Sequence, residues 1–157
     1  MSQQSVLAMW QRLEGVPGGT RLFSRLVCLR APYFGSIRPR FEALAPGRAV
    51  VTIRNRRRVQ NHLQTVHAIA MCNMAEMAAG VMTEVTVPRT HRWIPKGMTV
   101  EYLRRAETDL TAEALIDPAT EFGAARELPV PVSVRDKQGQ EVFRAVITMW
   151  VSPRKSG

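Results

Sequence analysis

The sequence predicts an α+β fold in which an antiparallel sheet surrounds one long central helix. The first observation is the segment from His67 to Thr83, which is almost free of charge and rich in Ala and Met on every side, as in a buried rather than a surface helix. The second is that the chain after Pro88 is rich in β-branched residues, a composition typical of strands. A sheet of that size has to wrap the helix in order to bury it.

Two short amphipathic helices are predicted ahead of this core. The apolar face of the first consists of Val6, Leu7, Trp10 and Leu13. The apolar face of the second consists of Leu22, Phe23, Leu26 and Val27. Gly15 to Gly19 separates the two helices as a breaker that contains proline, and Thr20 is the candidate N-cap of the second.

A hairpin and four later strands complete the predicted fold. Pro46-Gly47 separates two strand-like segments, residues 41–45 and 49–54, as a hairpin turn does. The later strands are predicted at residues 98–105, 110–117, 128–135 and 141–151. Because no repeat or linker divides the sequence, residues 1–157 are predicted to form a single domain, with a helical extension at 1–35 and the core at 36–152.

Composition places the chain among globular proteins. Its 157 residues are 45% apolar and 22% charged, which suits a chain that buries a core. Cys28 and Cys72 lie in apolar stretches, which indicates reduced, buried thiols, and no paired Cys and His pattern suggests a metal site. The sequence starts without a secretion signal and has no run of about 20 apolar residues that could cross a bilayer. A cytoplasmic protein is therefore expected.

The net charge of +9 is the unusual bulk property of the chain. It attracts anionic partners without identifying them, so nucleic acid, a membrane surface and a phosphate-bearing cofactor all remain open on charge alone. The densest positive run is Arg54-Asn-Arg-Arg-Arg58. A solvated strand end is its simplest interpretation, a phosphate contact is the next, and nucleic acid is the last because no stacking aromatic is adjacent.

Glu76 is the conspicuous residue of the central helix. A carboxylate in an apolar helix costs several kcal/mol unless it is paired or hydrogen-bonded. At 3.6 residues per turn, Asn73, Gly80 and Thr83 lie close to Glu76 in angle and extend it into a narrow polar strip. A structural carboxylate at a subunit contact is one interpretation. A functional site is favoured over it, because a buried acid suits base or nucleophile chemistry.

His67 stands at the start of the same helix, nine residues before Glu76. Nine residues make about two and a half turns, so the two side chains leave opposite sides of the helix. One copy of the helix therefore does not bring His67 and Glu76 together. Two copies packed side by side in a dimer can.

The stretch from Asn61 to Glu76 resembles the signature of hotdog-fold acyl-CoA thioesterases, most closely those of the phenylacetate-degradation and 4-hydroxybenzoyl-CoA types. In those proteins an Asn or Gln precedes a His by six residues, and the His precedes a Glu or Asp by nine. Asn61, His67 and Glu76 reproduce both spacings, and the resemblance of the fold covers residues 38–151. The sequence departs from the signature at Gln64, where Gly is frequent, and at Ala68-Ile69, where Gly-Gly is usual.

The resemblance implies a homodimer whose sites lie at the subunit interface. Whether two such dimers associate into a tetramer is left open. It implies hydrolysis of an acyl-CoA or related thioester with Glu76 as base or nucleophile, while Asn61 and His67 position the water and the thioester. Backbone amides near Ala68 and Ile69 would stabilise the oxyanion. No metal or separate cofactor is implied, since coenzyme A belongs to the substrate, and neither nucleic acid nor a membrane is expected as a partner.

Further substrate contacts are predicted from Asn73 on the helix and from Arg56, Arg57 and Arg58, which would hold the nucleotide end of CoA. Several aromatic residues are candidates for lining the acyl pocket, namely Trp10, Phe23, Tyr33, Phe34 and Trp93.

Three other functions compete with this one. The nearest is a hotdog protein that binds acyl-CoA without hydrolysing it, which Ile69 favours because its side chain would crowd the approach to the helix amides. Nucleic-acid binding through the arginine run comes after it. A hotdog hydratase is the least favoured, because the Asp and His spacing of such enzymes is absent from the sequence.

Overall fold

The structure, a computed structural model, describes residues 3–154, with side chains from Ser5 onward. The predicted domain limits at residues 1 and 157 lie outside these residues. The helical elements are α1 (Gln3–Leu13), α2 (Gly19–Arg30), the 3-10 segments η1 (Pro32–Ile37) and η2 (Arg57–Val59), and α3 (Ala68–Thr86). The strands are β1 (Arg40–Ala45), β2 (Arg48–Ile53), β3 (His91–Tyr102), β4 (Leu110–Leu115), β5 (Arg126–Arg135) and β6 (Glu141–Pro153).

The six strands form one antiparallel sheet in the order β1-β2-β4-β5-β6-β3. Helix α3 packs against this sheet and touches all six strands. The prediction of a central helix inside an antiparallel sheet is confirmed. Four methionines of α3 fill the space between helix and sheet as buried core residues: Met71, Met74, Met77 and Met82.

The predicted hairpin at Pro46-Gly47 is confirmed. Gly47 has φ 80, which a residue with a side chain rarely adopts. A Cβ at this position would also lie 2.8 Å from the backbone oxygen of Ile116. The Gly47 amide donates a hydrogen bond of 2.9 Å to Oγ1 of Thr86, so the hairpin turn is anchored to the last turn of α3.

Strand β3 is longer than the sequence pattern indicates. It was predicted to begin at Met98 and begins at His91, because Pro95 and Gly97 hide its first half. A bulge between these two residues accommodates them in the pairing with β6. Since β3 is the last strand of the sheet, proline costs it no hydrogen bond on its outer edge.

The N-terminal helices are joined to the sheet by a cluster of three aromatic rings. Trp10 of α1, Phe23 of α2 and Phe41 of β1 meet edge to face, with ring centroids 5.1, 5.2 and 6.5 Å apart. All three are buried. Ser24 adds a polar link, because its hydroxyl accepts a 2.9 Å hydrogen bond from the Phe41 amide. Trp10 and Phe23 are therefore core residues of the single subunit, and their predicted place in an acyl pocket stays a prediction.

The start of α2 also differs from the prediction. The helix begins at Gly19 rather than after a capping Thr20, and Gly18 with φ 77 occupies the N-cap position. A Cβ on Gly19 would lie 1.8 Å from the Leu13 carbonyl oxygen, so only glycine allows the ends of the two helices to approach this closely. The segment between the helices thus contains a close packing contact, between Gly19 and Leu13, that the periodicity of apolar residues does not reveal.

Within residues 3–154, no helix combines the length and the apolar character that crossing a bilayer requires.

Candidate active site

Glu76 lies in the middle of α3, and its side chain is half-buried. None of the residues that the structure describes forms a hydrogen bond or an ion pair with its carboxylate. Its oxygens are not among the solvent-shielded atoms without a partner, so water can reach the carboxylate in a single subunit. A donor for Glu76 therefore has to come from outside the described residues, for example from water, a ligand or another protein surface.

The polar strip predicted along α3 is not continuous. Thr83 is fully buried, and its hydroxyl donates a 2.7 Å hydrogen bond to the carbonyl oxygen of Ala79 one turn earlier. The side of α3 that remains partly open instead carries Ile69, Cys72, Glu76 and Gly80. We call these four residues the open stripe; Glu76 is its one charged member.

Strand β3 lies beside the open stripe and contacts it at both ends. The Tyr102 hydroxyl is 3.5 Å from the Cys72 sulfur, a contact that raises the pKa of Tyr102 together with partial burial. At the other end, the Trp93 ring packs over Gly80, where an added Cβ would lie 3.5 Å from the ring. Glu76 lies midway between Cys72 and Gly80 along the helix.

A second carboxylate on α3 is fully engaged by β3. Oε2 of Glu84 accepts a 2.8 Å hydrogen bond from Nε1 of Trp93. Glu84 lies about two turns beyond Glu76 on the helix. The two acids thus differ, because Glu84 has a donor among the described residues and Glu76 has none there.

His67 is the N-cap of α3, and its exposed side chain closes the first turn. Its Nδ1 accepts a 3.0 Å hydrogen bond from the Ile69 amide. A ring nitrogen that accepts carries no proton, so Nε2 holds the proton of the neutral ring and is free to donate. Of the two amides predicted to meet an oxyanion, that of Ile69 is taken by His67. The Ala68 amide has no acceptor among the described residues.

The side chain of Asn61 shapes the loop that leads into the helix. Its Oδ1 accepts hydrogen bonds from the amides of Leu63 and Thr65 at 2.9 and 3.2 Å, and its Nδ2 donates to Oγ1 of Thr65 at 2.9 Å. These contacts make an Asx-type turn. Asn61 therefore holds the loop before His67, and its predicted contact with water or substrate stays a prediction.

Gln64 occupies the left-handed region in this loop, with φ 62. This conformation explains why glycine suits the position, since a Cβ costs about 1–2 kcal/mol there. Gln64→Gly is expected to stabilise the protein by about 0.5–1 kcal/mol, the strain relieved minus the larger backbone entropy of glycine in the unfolded chain. Urea unfolding measures the difference.

A matched control is Gln60→Gly, four residues earlier, where φ is −86. Glycine offers no relief at negative φ, and the change also removes the 2.9 Å hydrogen bond that Nε2 of Gln60 donates to Oδ1 of Asn55, so it is expected to lower the free energy of unfolding. A loss of stability at Gln64 equal to that at Gln60 would contradict the account.

A single subunit does not assemble the predicted site. His67 and Glu76 are nine residues apart, or about 13.5 Å along the helix axis, and they point to opposite sides.

Asn73 is buried, with 6% of its surface exposed, and its Nδ2 donates a 3.1 Å hydrogen bond to Oγ of Ser36. Its Oδ1 has no donor among the described residues. Ser36 and Tyr102 were not anticipated, because nothing in the sequence indicates which loop or strand covers the helix.

The arginine run follows β2 and enters η2. Asn55 fixes it, because its amide donates a 2.9 Å hydrogen bond to Oδ1 of Asp109 and its Nδ2 donates at 2.8 Å to the Glu107 carbonyl. The Asn55 amide, helped by Lys137 and Arg54, lowers the pKa of Asp109 against the opposing effect of burial. Arg57 and Arg58 are exposed, whereas Arg56 is half-buried.

Within residues 5–154, the His, Cys, Asp and Glu side chains form no group of three that could ligate a metal ion.

Solved structures place this geometry among known folds. A crystal structure of a genomics target is 47% identical with a TM-score of 0.83, over 96% of this chain and 99% of that one. A protein of unknown function from Pseudomonas aeruginosa, described as a probable thioesterase, is 22% identical with a TM-score of 0.76, over 88% of this chain and 97% of that one. A thioesterase from Haemophilus influenzae is 12% identical with a TM-score of 0.71, over 83% and 89%. No curated protein sequence matches the chain.

The sequence also matches a family model, that of the domain of unknown function DUF4442, over residues 19–151. This range includes α2, the whole sheet to Val151 and the central helix. The chain is therefore a member of the DUF4442 family, and its six-stranded sheet around a central helix is a fold that it shares with thioesterases.

Proposed function

We propose that this protein hydrolyses an acyl-CoA or a related acyl thioester at a site that two copies of the chain build together. The observation that carries the proposal is the half-buried residue Glu76, whose carboxylate has no donor among the described residues and which lies on the open stripe of an otherwise buried helix. The fold shared with thioesterases supports it. The spacing of Asn61, His67 and Glu76 supports, within this proposal, a likeness to the phenylacetate-degradation and 4-hydroxybenzoyl-CoA types.

The second copy is proposed to pair along β3, as in the hotdog fold. The outer edge of β3, a strand of 12 residues, pairs with no other described strand, and the strand exposes apolar surface, with Ile94 62% exposed. An exposed edge of this length is a template for pairing with another chain. Pairing there covers the open stripe and brings Glu76 of one helix toward the N-terminus of the other, which one subunit cannot do.

In the proposed reaction, Glu76 accepts a proton from a water molecule as the water oxygen attacks the thioester carbonyl carbon. The Ala68 amide of the opposite subunit, at the positive end of α3, stabilises the oxyanion. When the tetrahedral intermediate collapses, the carbon–sulfur bond breaks and the proton passes from Glu76 to the leaving sulfur. In the other version of this proposal, Glu76 is the nucleophile: it attacks the thioester carbonyl carbon, the thiol leaves, and water then hydrolyses the resulting anhydride.

The remaining site residues position the substrate in this proposal. Nε2 of His67 is free to donate, since Nδ1 is engaged by Ile69, so it can hold the water or the thioester oxygen. Asn61 fixes the loop from which His67 projects. The unpaired Oδ1 of Asn73 is a buried acceptor for an N–H of the substrate. Arg56 and Arg58 of the arginine run carry positive charge that would attract the nucleotide end of CoA.

The alternative function is binding of acyl-CoA without turnover. One observation favours it: the Ile69 amide is occupied by His67, which leaves Ala68 as the single proposed oxyanion donor at the helix start. The Ile69 side chain itself is 54% exposed and so does not fill the entrance in a single subunit.

The test is thiol release from a panel of short, long and aromatic acyl-CoA thioesters by the purified protein. Hydrolysis of at least one thioester with kcat/KM of at least about 10⁴ M⁻¹s⁻¹, the lower end for enzymes, is the expected result. Saturable binding of acyl-CoA without thiol release across the panel would replace hydrolysis by the binding function. Absence of both binding and release would contradict the proposal as a whole.

A further inference from the structure

Arg56 carries a buried nitrogen without a partner. Its Nη2 is shielded from solvent and has no acceptor among the residues that the structure describes. A guanidinium nitrogen left unpaired in this way costs stability, because the water that it loses is not replaced. Such a group indicates an acceptor that the chain itself does not supply.

Two further arginines stand beside it. Segments η1 and η2 are in contact, which brings Arg38, directly after η1, near Arg56 and Arg58. Burial, and then the positive charges of Arg38 and Arg58, lower the pKa of Arg56. None of the ion pairs within residues 5–154 includes any of these three side chains. The described part of the chain thus leaves the positive cluster uncompensated.

The backbone around the cluster is held in place before any ligand arrives. The Val59 amide donates to the Arg56 carbonyl at 2.8 Å, and the Arg38 amide donates to the Gly35 carbonyl at 3.2 Å. Arg38 has φ 47, a left-handed conformation that is costly for a residue with a side chain. Mutually repelling charges on an ordered frame are the arrangement expected of an anion site rather than of a solvated surface.

We propose that Arg38, Arg56 and Arg58 form a phosphate site that holds the nucleotide end of the CoA thioester. Guanidinium groups bind phosphate oxygens bidentately, and a phosphate monoester offers three acceptor oxygens and up to about two negative charges at neutral pH. The unpaired Nη2 of Arg56 then acquires its acceptor. This inference rests on the proposed function for the identity of the ligand, while the site itself rests on the arginines.

Arg57 is the matched comparison within the same run. It is exposed, and its charge is not among those that act on Arg56. The inference therefore separates Arg57 from its two neighbours and adds Arg38, which precedes β1 and is distant in the sequence.

The experiment measures binding of adenosine 3′,5′-bisphosphate by calorimetry to the unmodified protein and to Arg38→Gln, Arg56→Gln and Arg57→Gln. Loss of one charged hydrogen-bonding partner is expected to weaken binding at least about tenfold for Arg38→Gln and Arg56→Gln. For Arg57→Gln, the loss of screened attraction alone is expected to weaken it by less than about threefold. Circular dichroism checks that each variant is folded.

A kinetic arm tests the ligand. KM for the best acyl-CoA is expected to rise in Arg38→Gln and Arg56→Gln without a comparable fall in kcat, while KM for the matching acyl-pantetheine, which lacks the nucleotide, stays unchanged. Weak bisphosphate binding by the unmodified protein, together with no thioester hydrolysis, would overturn both this site and its ligand. Tight bisphosphate binding that depends on Arg56, in a protein that hydrolyses no thioester, keeps the phosphate site and removes the proposed function.

Two outcomes would overturn the phosphate site itself. One is bisphosphate binding that Arg38→Gln and Arg56→Gln leave intact. The other is a loss of bisphosphate affinity in Arg57→Gln equal to that in Arg38→Gln and Arg56→Gln, which would show that binding depends on the overall positive charge rather than on a specific site. Duplex DNA bound more tightly than the bisphosphate, with the binding abolished by Arg56→Gln, would replace the nucleotide end of CoA by nucleic acid as the ligand.

Discussion

Replacing Glu76 by Gln is expected to lower kcat for the best thioester by at least about a hundredfold, the range for a positioned general base. The amide has nearly the same shape as the carboxylate, but it takes up no proton and is a poor nucleophile. Since Glu76 has no hydrogen bond or ion pair among the described residues, the change breaks no contact within the subunit. Folding and KM are therefore expected to remain close to those of the unmodified protein.

Glu84→Gln is the matched control for this variant. It makes the same chemical change on the same helix, at the acid whose Oε2 accepts a hydrogen bond from Trp93. Glutamine retains an acceptor oxygen for Trp93, so turnover is expected to change by less than about twofold, as for an ordinary surface substitution. Wild-type hydrolysis by Glu76→Gln, with altered stability or dimerisation instead, would make Glu76 a structural carboxylate and would favour the binding function.

The parts of the fold that were predictable are those with strong local signals. The all-round apolar character of α3 and the Pro46-Gly47 turn each report directly on burial or backbone shape, and both predictions are confirmed. The first half of β3 was missed because Pro95 and Gly97 normally interrupt strands. They are tolerated at the edge of the sheet, and the sequence does not show which strand occupies the edge.

The N-terminal helices illustrate the limit of periodicity. Their apolar faces predicted helices correctly, but not the surface they meet. Trp10 and Phe23 pack against Phe41 of β1, a contact between residues far apart in the chain. Candidate pocket residues thus became core residues once the tertiary packing was known.

The candidate site was predictable in its spacing but not in its contacts. The intervals between Asn61, His67 and Glu76 identify a recurring arrangement, and the opposite directions of His67 and Glu76 follow from helix geometry. Sequence does not reveal that the Asn61 side chain closes its own loop or that His67 caps its own helix. Both side-chain contacts depend on the φ and ψ angles of a few loop residues. The proximity of Arg38 to Arg56 depends on the packing of η1 against η2.

The central claim, that each site combines Glu76 of one subunit with the helix start of another, is tested by two variants in one dimer. The second variant is Ala68→Pro. Proline is well tolerated at the first position of a helix and removes the amide proposed as oxyanion donor. His67, which precedes it, already has φ −63 and ψ 141, which proline accepts in the residue before it. Loss of one oxyanion donor is expected to cost about 10²–10³ in kcat.

Glu76→Gln and Ala68→Pro, co-expressed with different affinity tags and purified through both, give a mixed dimer. If the sites are shared, one of its sites has both intact groups and the other has neither, so the mixed dimer is expected to hydrolyse the thioester at about half the wild-type rate. Each variant alone remains at least about a hundredfold below wild type. A mixed dimer no more active than its parents would contradict a shared site, because every site would then lack one group, and a chain that never co-purifies through both tags would contradict the dimer itself.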